Sequence, residues 1–338
     1  MEWAAPLKLG SVCHQWRQLA WATPDLWTTL YIGIKPTTPT SIATSLPGLL
    51  HEWLGRSGAL PLTIHFSHGS QDSDSSSEDD FSDADHTNMT DTLLIATGLV
   101  IHILNRHSSR WRNLHLKAKG DIFEYFTSAV EPKQLVTLDL NMLGELPMSA
   151  PKFVMESELN PTHLKLTEFP LTSINIRWGN VTHATFCQIT IDEGLDFLRP
   201  APSLEYYRVS MYEPQENEDI GFINPILHPR LRSLDLSTDC LQHVLEVINV
   251  PSLEEWTQDR GGEPRVAAML SLLKRSGCCL KILNLDGLPP PAEDIETLLQ
   301  ATPSLERIQL SSSWLFGNRT TIDAILTQIF LSCPYYFG

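Results

Sequence analysis

Leu231-Arg-Ser-Leu-Asp-Leu236 and Leu280-Lys-Ile-Leu-Asn-Leu285 are the clearest copies of a short pattern, L-x-x-[LIWY]-x-[LIV], that organises much of the chain. Apolar residues at alternate positions turn one face of a strand to a core and the other to solvent. More degenerate copies stand at Leu135–Leu140 (LVTLDL), Leu204–Val209 (LEYYRV), Leu253–Gln258 (LEEWTQ) and Leu305–Leu310 (LERIQL). Their fourth positions, Tyr207, Leu234, Trp256, Leu283 and Ile308, are 27, 22, 27 and 25 residues apart. A period of this size marks units of one strand and one helix that bury their apolar faces only by stacking.

The intervals fit the helices. Val266, Met269, Leu270 and Leu273 form one stripe; Ile295, Leu298 and Leu299 a second; Ile322, Ile325, Leu326 and Ile329 a third. Between residues 160 and 200 the runs His163–Leu166, Leu171–Ile176 and Val181–Phe186 come about ten apart, which leaves room for turns and none for helices. The pattern is similar to a leucine-rich repeat, irregular in its middle. The expected fold class is α/β: a solenoid of strand–helix repeats with a parallel sheet.

Upstream, Leu9, Val12, Cys13, Trp16, Leu19 and Ala20 fall on one stripe of an amphipathic helix that should stop near Ala22, before Pro24. Thr23 is then the expected N-cap, and Pro24 the first residue, of a short turn carrying Leu26 and Trp27. Strand patterns follow at Leu30, Ile32, Ile34 and at Leu62, Ile64, Phe66, around a helix with Leu49, Leu50, Trp53 and Leu54. Leu93 to Leu104 is too short to span a bilayer and reads as a buried helix. The expected organisation is 1–28, 29–66, a disordered acidic loop at 67–92, and repeats over 93–338.

That loop holds eight acidic residues and no Lys or Arg. It has too little apolar surface to offset the entropy of ordering. Ser75, Ser76 and Ser77 each precede an acidic residue by three positions, a pattern that suits acidophilic kinases. His65, His68 and His86 bracket the loop as a weak divalent-cation site could, although a solvated loop accounts for them better.

The residues Val12-Cys-His-Gln-Trp-Arg-Gln-Leu-Ala20 and Ala22-Thr-Pro-Asp-Leu-Trp27 resemble the second half of an F-box as found in fungal F-box proteins. Trp53-Leu-Gly-Arg-Ser-Gly58 with Leu60-Pro-Leu62, Ser109-Arg-Trp-Arg-Asn-Leu114 and Leu272-Leu-Lys-Arg-Ser-Gly277 resemble later segments of the same proteins. The leading L-P-x-E-[IL] helix of an F-box is missing from MEWAAPLKLG, so the resemblance is to a partial F-box. It implies the substrate receptor of an SCF-type cullin–RING ubiquitin ligase. Val12, Cys13, Trp16, Leu19, Leu26 and Trp27 would then be F-box core or face a Skp-type adaptor. The repeats would present a target protein, whose identity the sequence does not reveal. An adaptor-free repeat scaffold for protein–protein interaction is the alternative.

Net charge is −16, which disfavours polyanions and anionic membranes as partners. Arg110, Arg112, Lys117 and Lys119, around Trp111, are the only basic cluster, and alternating strand positions make them a solvated face. No G-x-S-x-G, phosphate-binding Gly-rich loop, H-E-x-x-H or C-x-x-C occurs, so neither an enzyme nor a cofactor is expected. Six unpaired-looking cysteines and a start without an apolar leader fit a cytoplasmic or nuclear protein. Trp3, Trp16, Trp21, Trp27 and Trp53 crowd the N-terminal part, where core packing is the simplest use for them. On the outward face of the repeats, Asp139, Arg208, Asp235, Thr257, Asn284 and Gln309 are the candidate partner-contacting residues.

Overall fold

In this computed structural model the described residues are 5–69, 83–127, 130–144, 152–153, 155–211, 225–237, 241–258, 266–286 and 291–310. The chain divides into two compact units, Met1–Arg177 and Trp178–Gly338. The expected stripe at Ile322–Ile329 and residues 70–82 of the acidic stretch, including Ser75–Ser77, lie outside the described residues.

The first unit opens with two short helices, α1 (Ala5–Val12) and α2 (His14–Trp21), where one continuous helix was expected. Cys13 between them is fully extended, at φ −160° and ψ 174°. The break has a local cause. Gly10, Ser11 and Val12 are weak helix formers, and Arg17 reaches back so that its Nε donates to the Gly10 carbonyl at 2.8 Å, satisfying an end of α1. Thr23 also departs from expectation. Its hydroxyl donates to Leu19 O at 2.7 Å, closing α2, and does not cap the turn at Pro24–Trp27.

Five strands follow: β1 (Thr29–Ile34), β2 (Leu62–His68), β3 (Trp111–Ala118), β4 (Thr137–Met142) and β5 (His163–Thr167). Each pairs in parallel with the next in chain order. Two long helices, α3 (Thr40–Arg56) and α4 (Asp83–Arg106), pack on each other and fill the first two crossovers. The helix α4 starts at Asp83, so the last ten residues of the expected 67–92 loop are not loop. Nor is α4 buried all round. Leu93, Ala96, Val100, Ile101 and Leu104 face the core, while Leu94, Ile95 and Leu99 are exposed.

The second unit holds β6 (His183–Ile189), α5 (Ile191–Leu198), β7 (Tyr206–Met211), β8 (Ile226–Leu227), β9 (Ser233–Ser237), α6 (Leu241–Val247), β10 (Ile248–Asn249), β11 (Glu255–Gln258), α7 (Val266–Ser276), β12 (Ile282–Leu285), α8 (Ala292–Ala301) and β13 (Arg307–Leu310). Strands β6, β7, β9, β11, β12 and β13 form a parallel sheet in that order; β8 and β10 pair separately. The class is α/β, as expected, and every L-x-x-L-x-L run lies on a strand or its entry. The region around Leu171–Ile176 forms a 3-10 turn and bridge residues, but α5 contradicts the expectation of turns alone before residue 200. The sequence signal for α5 was present. Thr190 and Glu193 form a capping box, the threonine oxygen accepting from Glu193 N at 3.2 Å.

One hydrogen-bond unit steps across the second sheet. The carbonyls of Thr182, Glu205, Arg232, Glu254 and Lys281 each accept two successive N–H groups from the entry of the following strand, at 2.8–3.0 Å. The stepping residues Glu205, Arg232, Glu254, Lys281 and Glu306 alternate in charge, and the Lys281 ammonium lies 3.3 Å from Glu254. A slip of one strand along the ladder would move a buried leucine to solvent. Omission of a whole unit would set like charges side by side.

The two R-S-G stretches are used alike. Gly58 and Gly277 take φ +59° and +60°, the left-handed turn that ends α3 and α7 and that glycine adopts without a Cβ clash. Beside each lies a buried serine. Ser57 Oγ accepts from the Arg110 guanidinium at 2.6 Å, and Ser276 Oγ accepts from Val250 N at 3.0 Å.

Candidate functional site

Two surfaces are exposed in ways that packing does not explain. The first is the N-terminal helix pair. Val12, Trp16, Leu19 and Trp21 are 66%, 48%, 64% and 49% exposed, and Cys13 is exposed with them. Core packing was the expected use of the N-terminal tryptophans, and it holds for only part of the set. Trp27 is buried, with its indole N–H donating to Ala20 O at 2.7 Å, and it meets Trp53 edge to face at 4.8 Å. Trp16 and Trp21 stay outside, and Trp3 is not among the described residues. The Arg56 guanidinium sits 4.8 Å from the Trp21 ring and 4.6 Å from the Trp27 ring, joining the outer aromatic to the buried one. Of the six residues carried over by resemblance, Val12, Cys13, Trp16 and Leu19 are exposed, Leu26 is half-buried and only Trp27 is core.

The second surface is the outward side of the strands. In the second unit Arg208, Asp235, Thr257, Asn284 and Gln309 occupy one register row, from β7 through β13. They are not equally available. Asp235 is buried, 3.2 Å from the Arg208 guanidinium, so it serves mainly to hold Arg208 rather than to meet a partner. Thr257 and Asn284 are half-buried and hydrogen-bonded at 2.9 Å; Arg208 and Gln309 are exposed.

The equivalent row in the first unit runs Tyr31, His65, His115, Asp139, Lys165. The Tyr31 ring stacks on His65, and His65 on His115, both at 4.3 Å and within 6° of parallel. His115 Nδ1 lies 3.3 Å from Asp139 and Lys165 Nζ 3.5 Å from it. Of these, the sequence singled out Asp139 as an outward residue and His65 only as a histidine beside the acidic loop. The row was not legible there, because Tyr31, His65 and His115 meet only through strand register. Among the described residues no three His, Cys, Asp or Glu side chains converge as a metal site would require. His65 and His68 both stand on β2, and the side chain of His86 is not described. The basic cluster also divides. The Arg110 guanidinium donates to Leu60 O at 2.9 Å and to Ser57, bracing the turn before β2, while Arg112 and Lys117 are exposed on β3.

Burial is the largest influence on His65, His68, His107 and His228, and it lowers each below the ordinary imidazole value. His228 is 2% exposed and its Nε2 donates to Leu198 O at 2.8 Å. Below the unfolded value the unfolded chain binds more protons, so stability should fall as pH drops from about 6.5 towards the lower folded values and level off beneath them. Each fully neutral folded histidine contributes a slope of up to about 1.4 kcal/mol per pH unit. Urea midpoints between about pH 8 and pH 5 should trace this decline. A midpoint that rises on acidification in that window would contradict it.

No protein-family model matches the chain. No curated protein matches it significantly either. No described helix is long and apolar enough to cross a membrane.

Proposed function

We infer that this chain is a non-enzymatic recognition protein of F-box type. In this reading its N-terminal helix pair docks a Skp-type adaptor of a cullin–RING ubiquitin ligase, and the outward face of a leucine-rich-repeat-like solenoid holds the target. The observation that carries it is the solvent-facing cluster Val12, Trp16, Leu19 and Trp21 on two short helices. Such a run of large apolar side chains is costly to leave wet and marks a protein-docking patch. It coincides with the residues that resemble an F-box. Further support comes from strands that neighbour one another in chain order and from the repeated double hydrogen bond at each strand entry.

Co-expression with a Skp-type adaptor tests the reading. The expected result is a complex that survives gel filtration and weakens at least tenfold, about 1.4 kcal/mol, in Trp16→Ala or Leu19→Asp. Both positions are exposed, so circular dichroism should leave the fold unchanged. No complex, with the adaptor binding another F-box protein in the same assay, would remove the ligase reading. The strand face would then belong to an adaptor-free scaffold.

A further inference from the structure

We propose that the groove beside the Tyr31–His65–His115 stack binds an acidic peptide segment of a partner protein. The inference rests on the recognition reading above and gives its first unit a ligand class.

The groove has a volume of about 740 Å³ and lies between the outward strand row and the start of α3. Its walls combine two kinds of surface. Tyr31, 48% exposed, and Ile42, 52% exposed, offer an apolar side on which a partner's aromatic or aliphatic side chain can lie. Lys117, Lys165, His65 and His115 offer cations or potential cations. Asp139 is the sole carboxylate among the lining residues, and it is already engaged by His115 and Lys165. Lys117 lines the groove, is exposed and forms no ion pair with a carboxylate among the described residues. The sign of this patch is opposite to that of the whole chain, which carries −16. A basic segment would be drawn to the rest of the surface and repelled here. An acidic one finds its complement in the groove, and charge of this kind sets specificity and register.

The stack adds a pH response. His65 faces Tyr31 from β1, His115 and Lys117 from β3 and Asp139 from β4, while Ile42 and Leu46 of α3 bring no charge. In the free protein burial, and secondarily His115, lower the His65 imidazole below its ordinary value, against the smaller pull of Asp139. A carboxylate arriving over the stack favours its protonation, so binding takes up a proton and tightens on acidification.

The probe is a fluorescein-labelled eight-residue peptide of alternating glutamate and tyrosine, followed by anisotropy against the full chain. A lysine–tyrosine peptide of equal length is the control. The glutamate peptide should bind, and bind about threefold to tenfold tighter at pH 6 than at pH 8. Lys117→Glu should weaken it about tenfold, whereas Lys274→Glu, the same reversal on an exposed position of α7, should not. His65→Phe keeps a stacked ring and should flatten the pH response without abolishing binding at pH 8. Absence of binding at pH 6, equal binding of the lysine peptide, or equal losses in Lys117→Glu and Lys274→Glu would each overturn the proposal. Adaptor capture separates this result from the receptor reading. If the adaptor binds and the peptide does not, the groove assignment alone falls; if the peptide binds and the adaptor does not, the groove stands and ligase membership falls.

Discussion

Replacing Trp27 by alanine should lower the unfolding free energy by about 3–5 kcal/mol, the range for emptying a large aromatic site. Trp27 is 1% exposed and fills the space between α2, α3 and the first strand, against Trp53 and beneath Arg56. Its indole N–H is also the tie that holds Ala20, the one buried residue of α2. The cavity and the loss of that tie therefore act together. Trp27→Phe keeps most of the buried area and removes the hydrogen bond, leaving Ala20 O with only the long 3.4 Å bond from Thr23 N, and should cost about 1–3 kcal/mol. Urea titration gives both numbers as midpoint shifts at constant slope. If the two variants lost the same amount, the ring's volume would be irrelevant and the assignment of Trp27 to the core wrong. On the proposed F-box reading, the alanine variant should also weaken adaptor capture, because α2 loses its anchor while its own exposed side chains are untouched.

Tyr207→Ala should be nearly as damaging to the second unit, again about 3–5 kcal/mol. Tyr207 is fully buried on β7 and meets Phe186 and Phe197 at ring distances of 5.9 and 5.7 Å. Its hydroxyl donates to Gly194 O at 3.0 Å, joining the strand to α5. Gly194 leaves the needed room: a Cβ there would lie 2.5 Å from Met211 Cε and 3.2 Å from the tyrosine oxygen. Burial pushes the phenol well above its usual range, so it stays a neutral donor at any physiological pH. Tyr207→Phe should cost only about 1–2 kcal/mol, the carbonyl of Gly194 losing its side-chain partner. The two substitutions differ by the packing of the ring, and a ratio near one would show that the hydrogen bond dominates.

These two residues show what the sequence made legible. Tyr207 stands at the fourth position of LEYYRV, so its burial follows from strand alternation alone. The same logic located every L-x-x-L-x-L strand, because apolar spacing of two is a local property. Trp27 was visible as a turn residue after Pro24, but its bond to Ala20 was not. The break at Cys13 was hidden for a physical reason. The apolar stripe continues in register through Cys13, and only Arg17 reaching back to Gly10 reveals that two helices share it. Asp235 looked outward by parity and does point that way, yet Arg208 on the neighbouring strand closes over it. Burial of that kind depends on a pair 27 residues apart. The Tyr31–His65–His115 stack lies further still beyond pattern reading, since it exists only once three parallel strands align. The α5 helix was a different failure: its capping box was local and readable, and an argument from spacing displaced it.

The double hydrogen bond that recurs at each strand entry has an evolutionary meaning. Within the second unit the double hydrogen bonds that set each strand's register are made by backbone atoms, whatever outward side chains the strand carries. A substitution at Gln309 therefore changes one rung of the exposed face, and one at Arg208, Thr257 or Asn284 removes a side-chain tie to the next strand while leaving the backbone ladder intact. Such a surface can drift to a new partner by single steps, each variant still folded. The stepping residues beneath it, alternating Glu205, Arg232, Glu254, Lys281 and Glu306, are the part that must change in pairs.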